Sequence, residues 1–85
     1  MTRYRIFADL DVIEALRGIR MPERRQIAAF LEELKDSPDT EGDFTEKGAS
    51  DRDHSIKIVG KWAVTYWTDH PAKEVKIERI DRADG

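Results

Sequence analysis

The sequence contains no cysteine and no long apolar stretch. Without cysteine the chain can form no disulfide, and a zinc site would have to be built from two histidines and carboxylates. The longest uncharged apolar run is only a few residues, and the N-terminal stretch MTRYRIFADLD carries charge too early for a signal peptide. These absences predict a soluble cytoplasmic protein with no membrane segment, no metal and no cofactor.

The sequence also lacks an excess of positive charge. Its net charge is −3 and its pI is about 5.3, so the chain as a whole does not attract nucleic acid. Acidic residues concentrate within residues 31–55, which we interpret as a solvated loop region rather than a docking site for a basic partner. The length of 85 residues predicts one small domain, residues 1–85, with a thin margin of stability.

The first half of the sequence predicts a strand and two helices. Residues 4–8 have the β-branched and aromatic content of a short strand. Asp9 or Asp11 can cap a first helix that runs to about Gly18, and a second helix covers residues 22–35, with proline in its first turn. The apolar residues at helical spacing are Val12, Ile13, Leu16, Ile19, Ile27, Phe30, Leu31 and Leu34.

The second half predicts a long loop and an antiparallel meander of three strands. Residues 36–53 show no periodicity, although Phe44 could pin this loop to the core. The predicted strands cover residues 56–59, 62–67 and 74–80.

The turn at Gly60 decides which side chains of the meander face the core. A two-residue turn at Gly60 and Lys61 would put Ile56 and Ile58 on the face opposite Trp62. A three-residue loop at residues 59–61 unites these apolar residues on one face, and we therefore expect that loop. The expected buried face holds Ile56, Ile58, Trp62, Val64, Tyr66, Val75 and Ile77, and the other face holds Lys57, Ala63, Thr65, Trp67, Lys76 and Glu78.

The predicted fold class is α+β. An N-terminal strand lies at the sheet edge, and a helical hairpin packs on one face of a three-stranded antiparallel meander. The second face stays open and carries lysines and a tryptophan.

This order of elements, with the stretches SIKIVGKWAVTYW and EVKIERIDRAD, resembles the RelE/ParE superfamily of toxins from bacterial type II toxin–antitoxin pairs. The most telling part is the strand with Gly60, Trp62, Val64 and Tyr66, followed by an acidic turn and a V-x-I strand. The stretches GDFTEKGA and YWTDHPAKEVKI are similar to a branch described as RelE-like or plasmid-stabilisation proteins. The likeness covers nearly the whole chain.

The resemblance implies a compact domain that a cognate antitoxin holds inactive. In ribonuclease members this domain inhibits translation by cleaving messenger RNA in the ribosomal A site, whereas ParE-type members inhibit DNA gyrase. By the same resemblance, Lys57 falls on a strand lysine of the family and Arg82 on the arginine after its last strand. Ser55 and Ala63 stand where the ribonucleases have basic residues, and the sequence as given ends without their terminal tyrosine.

Three functions are compatible with these expectations. The first is antitoxin binding through the open face and the sheet edge. The second is a metal-independent endoribonuclease that uses Lys57 and Arg82, with Lys76 in support, to stabilise the charged phosphate. The third is a ParE-like inhibitor, or a catalytically inactive module, that binds a protein target. The expected substrate- or partner-binding residues are Lys76, Trp67 and Lys61.

Other polar residues have simpler interpretations. His70 precedes a proline and is typical of a turn, although a histidine can act as a general base. The stretch from Asp51 to His54 has ligand types of a metal site but only one histidine. Trp62 and Tyr66 are expected in the core. The arginines near the helix junction, which we interpret as solvated, are Arg17, Arg20, Arg24 and Arg25.

Overall fold

The computed structural model describes residues 3–48 and 52–84. In chain order its elements are β1 (Arg5–Ala8), α1 (Leu10–Arg17), α2 (Glu23–Asp36), β2 (Phe44–Lys47), β3 (Asp53–Val59), β4 (Trp62–Asp69) and β5 (Glu74–Arg82). Within the described ranges, neither helix has the length and apolar character needed to cross a membrane.

The five strands form one mixed sheet in the order β1-β5-β4-β3-β2. The strands from β2 to β5 pair antiparallel in sequence order, while β1 pairs parallel with β5 and forms an edge. The α+β class and the edge position of the first strand are therefore confirmed.

The predicted long loop contains a strand. Residues 44–47 form β2, which pairs with β3 and extends the expected meander to four strands. Phe44 does not pin this segment to the core, because its side chain is 60% exposed. The prediction was wrong because the segment FTEK is too short and too polar to show a strand pattern, and only pairing with β3 makes it one.

Local signals place both helices. Asp9 caps α1 by accepting a hydrogen bond from the Val12 N–H at 3.1 Å, so Asp9 rather than Asp11 is the cap. The helix ends at Gly18, and Pro22 immediately precedes α2. The most secure predicted element, α2, is confirmed over nearly its whole length.

One cluster of apolar residues joins both helices to the sheet. Phe30 of α2 meets Tyr66 of β4 edge to face, with ring centroids 5.6 Å apart. The buried members are Val12, Ile19, Ile27, Phe30, Leu34, Val64, Tyr66, Val75, Ile77 and Ile80. Tyr66 is thus a core residue as predicted, whereas Trp62 is half-buried at the margin of the cluster.

The turn between β3 and β4 has two residues, so the predicted three-residue loop was wrong. Val59 pairs directly with Trp62, which leaves only Gly60 and Lys61 in the turn. Gly60 has a φ of 61° and Lys61 does not have a positive φ, which is the pattern of a type II′ turn with glycine first.

The two-residue turn reverses the expected faces of β3. Cross-strand partners share a face, so Lys57 lies on the side of its partner Val64, whereas Ile56 and Ile58 lie with Thr65 and Ala63. We call the side of Val64 the core face, with Tyr66, Val75, Ile77 and Ile80. The opposite side is the Trp67 face, with Phe7, Phe44, Ile56, Thr65, Lys76 and Arg79.

Candidate binding face of the sheet

A row of aromatic and cationic side chains crosses the Trp67 face. Phe7 of β1 and Trp67 of β4 both lie opposite Lys76 of β5 in the strand register. The Lys76 ammonium is 5.2 Å from the Phe7 ring centroid and 5.5 Å from the Trp67 ring centroid. These distances allow cation–π attraction of the Lys76 ammonium to both rings. Side chains of the neighbouring strands β1, β5 and β4 thereby form one continuous surface.

Trp67 is engaged by charged groups at two places. The guanidinium carbon of Arg52 lies 3.7 Å from its ring centroid, and its indole N–H donates to Glu78 Oε1 at 2.7 Å. The sequence placed Trp67 and Lys76 on one face, which the structure confirms. A base that stacked on this ring would compete with Arg52, whereas a partner side chain can pack beside it.

Lys76 and Arg79 of this face are already paired with carboxylates. Lys76 Nζ lies 3.5 Å from Asp69 and 3.8 Å from Glu74. Arg79 contacts Glu46 at 2.6 Å and Asp81 at 2.8 Å. The hydrogen bond to Glu46, with a smaller contribution from Asp81, raises the pKa of Arg79. A phosphate that approached this face would have to displace carboxylates from these cations.

Thr65 lies beneath this charged layer. Its neighbour across the strands is Arg79, and its residue exposure is only 1% although it belongs to the Trp67 face. Arg79 belongs to β5 and Glu46 to β2, so their ion pair reaches across β4 and β3. Polar side chains therefore shield the centre of this face from water.

Lys57 is not part of this arrangement. Its side chain lies on the core face, where its ammonium is 3.7 Å from Asp43. The expected grouping of Lys57 with Trp67 and Lys76 was wrong because it depended on the three-residue turn. At this position the aliphatic part of a lysine can cover apolar surface while its charge reaches a carboxylate at the margin.

Arg82 and Lys61 lie at the end of the sheet near the β3–β4 turn. Arg82 pairs with Trp62 in the register, and its guanidinium carbon is 5.4 Å from that ring centroid. It donates to both carboxylate oxygens of Asp84 at 3.2 Å, and this contact raises the pKa of Arg82. Lys61 is exposed, and its carbonyl accepts from the Ala83 N–H at 2.8 Å. The five candidate residues are therefore divided among three regions: the Trp67 face, the core face at Lys57, and this end of the sheet.

A hydrogen-bonded chain that sequence reasoning missed surrounds His70. The Tyr4 hydroxyl lies 2.8 Å from His70 Nδ1, and Asp39 Oδ1 lies 3.0 Å from His70 Nε2. These residues come from the position before β1, the segment after α2 and the β4–β5 turn, so no local spacing could group them. All three are at least partly exposed, and we interpret the chain as a tertiary link between separate segments.

The described residues contain no group of three or more histidine and carboxylate side chains arranged to hold a metal. Of the stretch from Asp51 to His54, which has ligand types of a metal site, Asp51 lies outside the described residues, while Asp53 forms an ion pair with Lys47 at 2.9 Å. The Asp53 carboxylate thus already has a partner in the fold, the Lys47 ammonium.

No protein-family model matches the sequence, and no curated protein matches it significantly. The structure does resemble solved toxin structures. Superposition on RelE of the archaeal RelE–RelB complex from Pyrococcus horikoshii gives a TM-score of 0.78 at 24% identity, covering 96% of both chains. The toxin–antitoxin complex RelBE2 from Mycobacterium tuberculosis gives 0.76 at 16% identity, covering 94% of this chain and 98% of the other.

A third similar structure is an arginine-to-alanine double mutant of Escherichia coli toxin RelE in the free state. It gives a TM-score of 0.67 at 16% identity and covers 96% of this chain and 85% of the other. At such identities the likeness is one of fold. The chain therefore has the RelE-like toxin fold that its sequence pattern predicted.

Proposed function

We propose that this protein is the toxin component of a toxin–antitoxin pair in the cytoplasm, and that it binds a cognate antitoxin, which holds it inactive. The observation that carries the proposal is the extent of the fold match. It covers 96% of this chain and 96% of a chain from a structure that was solved as a RelE–RelB complex. The likeness thus includes the sheet edges and both sheet faces.

The Trp67 face supports a protein partner. Phe7 and Phe44 are exposed large apolar residues on this face, and Trp67 and Ile56 are half-buried between them. Aromatic rings beside cations are typical of protein interfaces, where burial of the ring supplies affinity and the polar rim supplies specificity.

The same geometry favours binding over RNA cleavage as the main activity. Cleavage needs proton transfer at two oxygens and cations that are available to the phosphate. Arg82 is bound to Asp84, Lys76 lies near two carboxylates, and Lys57 lies on the opposite face from Lys76. A protein-directed toxin, such as a ParE-like inhibitor of DNA gyrase, needs none of these groups to be free.

Inducible expression in a bacterial host, with and without the neighbouring reading frame, tests the proposal. We expect growth arrest that the neighbour reverses, a stable complex of the two purified proteins, and no new messenger-RNA ends in arrested cells. Absence of both arrest and complex would rule out a toxin–antitoxin role.

Two double variants separate the enzyme from the binding protein. Lys57→Ala with Arg82→Ala removes the two candidate catalytic cations, and Arg17→Ala with Arg25→Ala removes the same charge from exposed helical positions. We expect both variants to keep toxicity and antitoxin binding. New messenger-RNA ends that disappear only in the first variant would instead identify an endoribonuclease.

A further inference from the structure

Within the described residues, the outer edge of β1 carries backbone groups that pair with no other strand. The Arg5 N–H points toward β5, since it donates to the Lys73 carbonyl at 3.0 Å, whereas the Tyr4 N–H donates away from β5 to the Lys35 carbonyl at 3.0 Å. Because these directions alternate along a strand, the backbone groups of Ile6 and Ala8 also point away from β5. In the described part of the chain no strand lies beyond β1.

The sequence of this edge is self-complementary. If two copies of the segment from Arg5 to Asp9 align antiparallel about Phe7, Ile6 of one copy lies opposite Ala8 of the other. These are the residues whose N–H and C=O groups point outward, so each opposed pair can exchange two backbone hydrogen bonds. Phe7 then meets Phe7 of the second copy as a close cross-strand aromatic pair on the Trp67 face.

The charges match in the same alignment. Arg5 of each copy lies opposite Asp9 of the other copy, so the two-fold symmetry produces this pair twice. The Arg5 side chain is largely exposed and uses only one nitrogen, which contacts Glu74 at 3.2 Å. Asp9 uses one carboxylate oxygen to cap α1, so its second oxygen can accept from the incoming guanidinium.

The shape of the edge also suits a second copy. A groove of about 460 Å³ runs beside the start of β1, lined by Arg3, Tyr4, Arg5, Ile6 and Lys35. In the alignment Leu10 of the second copy, the first residue of α1, follows Asp9 and comes near this groove. Leu10 is 65% exposed in the single chain, and the pairing would cover it against Tyr4 and Ile6.

We propose that two copies of this protein pair antiparallel through the outer edges of β1, about a two-fold axis at Phe7, to form a continuous ten-stranded sheet. The dimer exchanges four backbone hydrogen bonds and two Arg5–Asp9 ion pairs. This inference goes beyond the toxin–antitoxin role and does not depend on it.

The test is the molar mass of the isolated protein, measured by sedimentation over about 1 µM to 1 mM. We expect a concentration-dependent dimer. Ala8→Pro removes an outward N–H in each copy and leaves pairing with β5 intact, so it should weaken association roughly thirty-fold through two lost hydrogen bonds.

Thr45→Pro is the matched control on the opposite edge of the sheet. The Gly48 N–H donates to Arg52 at 2.6 Å, so by alternation the Thr45 N–H points away from β3 and toward solvent. We expect this variant to dimerise like the unaltered protein. Equal weakening by both proline variants, or a monomer at every concentration, would overturn the proposal.

A charge exchange tests the alignment without proline. Arg5→Glu and Asp9→Lys each place like charges opposite one another in their own homodimer, and each should be monomeric. Mixing the two proteins restores both opposite-charge pairs, so a heterodimer should form. Failure of the mixture to associate, while circular dichroism shows both chains folded, would contradict the alignment.

Discussion

Arg79 on β5 reaches Glu46 on β2 at 2.6 Å, across the two strands that separate them. The pair lies over Thr65 and holds the most central cation of the Trp67 face in an ion pair. The Glu46 carboxylate, on the edge strand β2, thereby limits the positive charge that Arg79 can offer to a ligand in the middle of the face.

Glu46→Gln should increase affinity for RNA. The substitution removes one of the two carboxylates that hold Arg79, and a guanidinium with fewer carboxylate partners can contact phosphate more readily. The side chains are 49% and 35% exposed, so the free energy of unfolding should fall by less than about 1 kcal/mol. We expect a few-fold tighter binding of a short RNA by fluorescence anisotropy, lost at high salt.

Asp53→Asn is the control for that experiment. It removes one negative charge from the exposed ion pair between Lys47, the last residue of β2, and Asp53, the first residue of β3. Equal gains in RNA affinity from both substitutions would show that net charge, rather than release of Arg79, explains the effect.

Tyr66 should make the protein sensitive to alkaline pH. Burial, with smaller contributions from Asp43 and Glu41, raises the pKa of its hydroxyl. Since the folded-state pKa exceeds the unfolded value near 10, the stabilising contribution is complete below about pH 10. It is lost as pH rises through the folded-state pKa. Urea titrations between about pH 9 and 11.5 should show this decline.

Tyr66→Phe separates this effect from general alkaline denaturation. The Tyr66 hydroxyl donates to the Thr40 carbonyl at 2.9 Å, so the variant should lose about 1–2 kcal/mol at neutral pH. Its stability should then decline less steeply above pH 10. A decline as steep as that of the unaltered protein would contradict the assignment.

Two isoleucines of the helices should respond very differently to truncation. Ile27→Ala leaves a cavity at a position without exposed area and should cost about 2–5 kcal/mol in the free energy of unfolding. Ile13→Ala is chemically the same change at an exposed position, and we expect a loss below about 1 kcal/mol. Similar losses from both would place Ile13 inside the core, contrary to the described packing.

Gly60→Ala tests the two-residue turn. Gly60 has a φ of 61°, and a side chain in that region should cost about 1–2 kcal/mol. Gly18→Ala is the control, since Gly18 has right-handed helical angles and its added Cβ would approach no closer than 3.5 Å to Ala15. Thermal unfolding should show a lower Tm for the first variant only, and an unchanged Tm for Gly60→Ala would contradict the turn geometry.

Much of the fold was predictable because its signals are local. Apolar residues at helical spacing between Ile27 and Leu34, with proline before them, identify α2. The strand pattern around Val64 and Tyr66 identifies β4. The RelE-like fold that the structural comparison shows was indicated by the resemblance of the element order and of the stretches SIKIVGKWAVTYW and EVKIERIDRAD to that superfamily.

The candidate site was only partly predictable. Trp67 and Lys76 were correctly placed together because the β4–β5 register keeps them opposite each other. Lys57 was misplaced because one residue in a turn moves every side chain of a strand to the other face. Ile56 and Ile58 suggested a buried face, but on the Trp67 face they are only half-buried.

The sequence by itself determined both helices, the strands other than β2, the fold class and the low positive charge, because helix periodicity, strand composition and caps act over a few residues. Only the tertiary structure decided the strand faces, the link of Tyr4 and Asp39 to His70, and the reach of Arg79 to Glu46. The last two depend on contacts between residues more than 30 positions apart, whose partners are chosen by how the whole sheet packs. The faces of β3 depend on the length of the turn at Gly60, which the pairing of Val59 with Trp62 fixes.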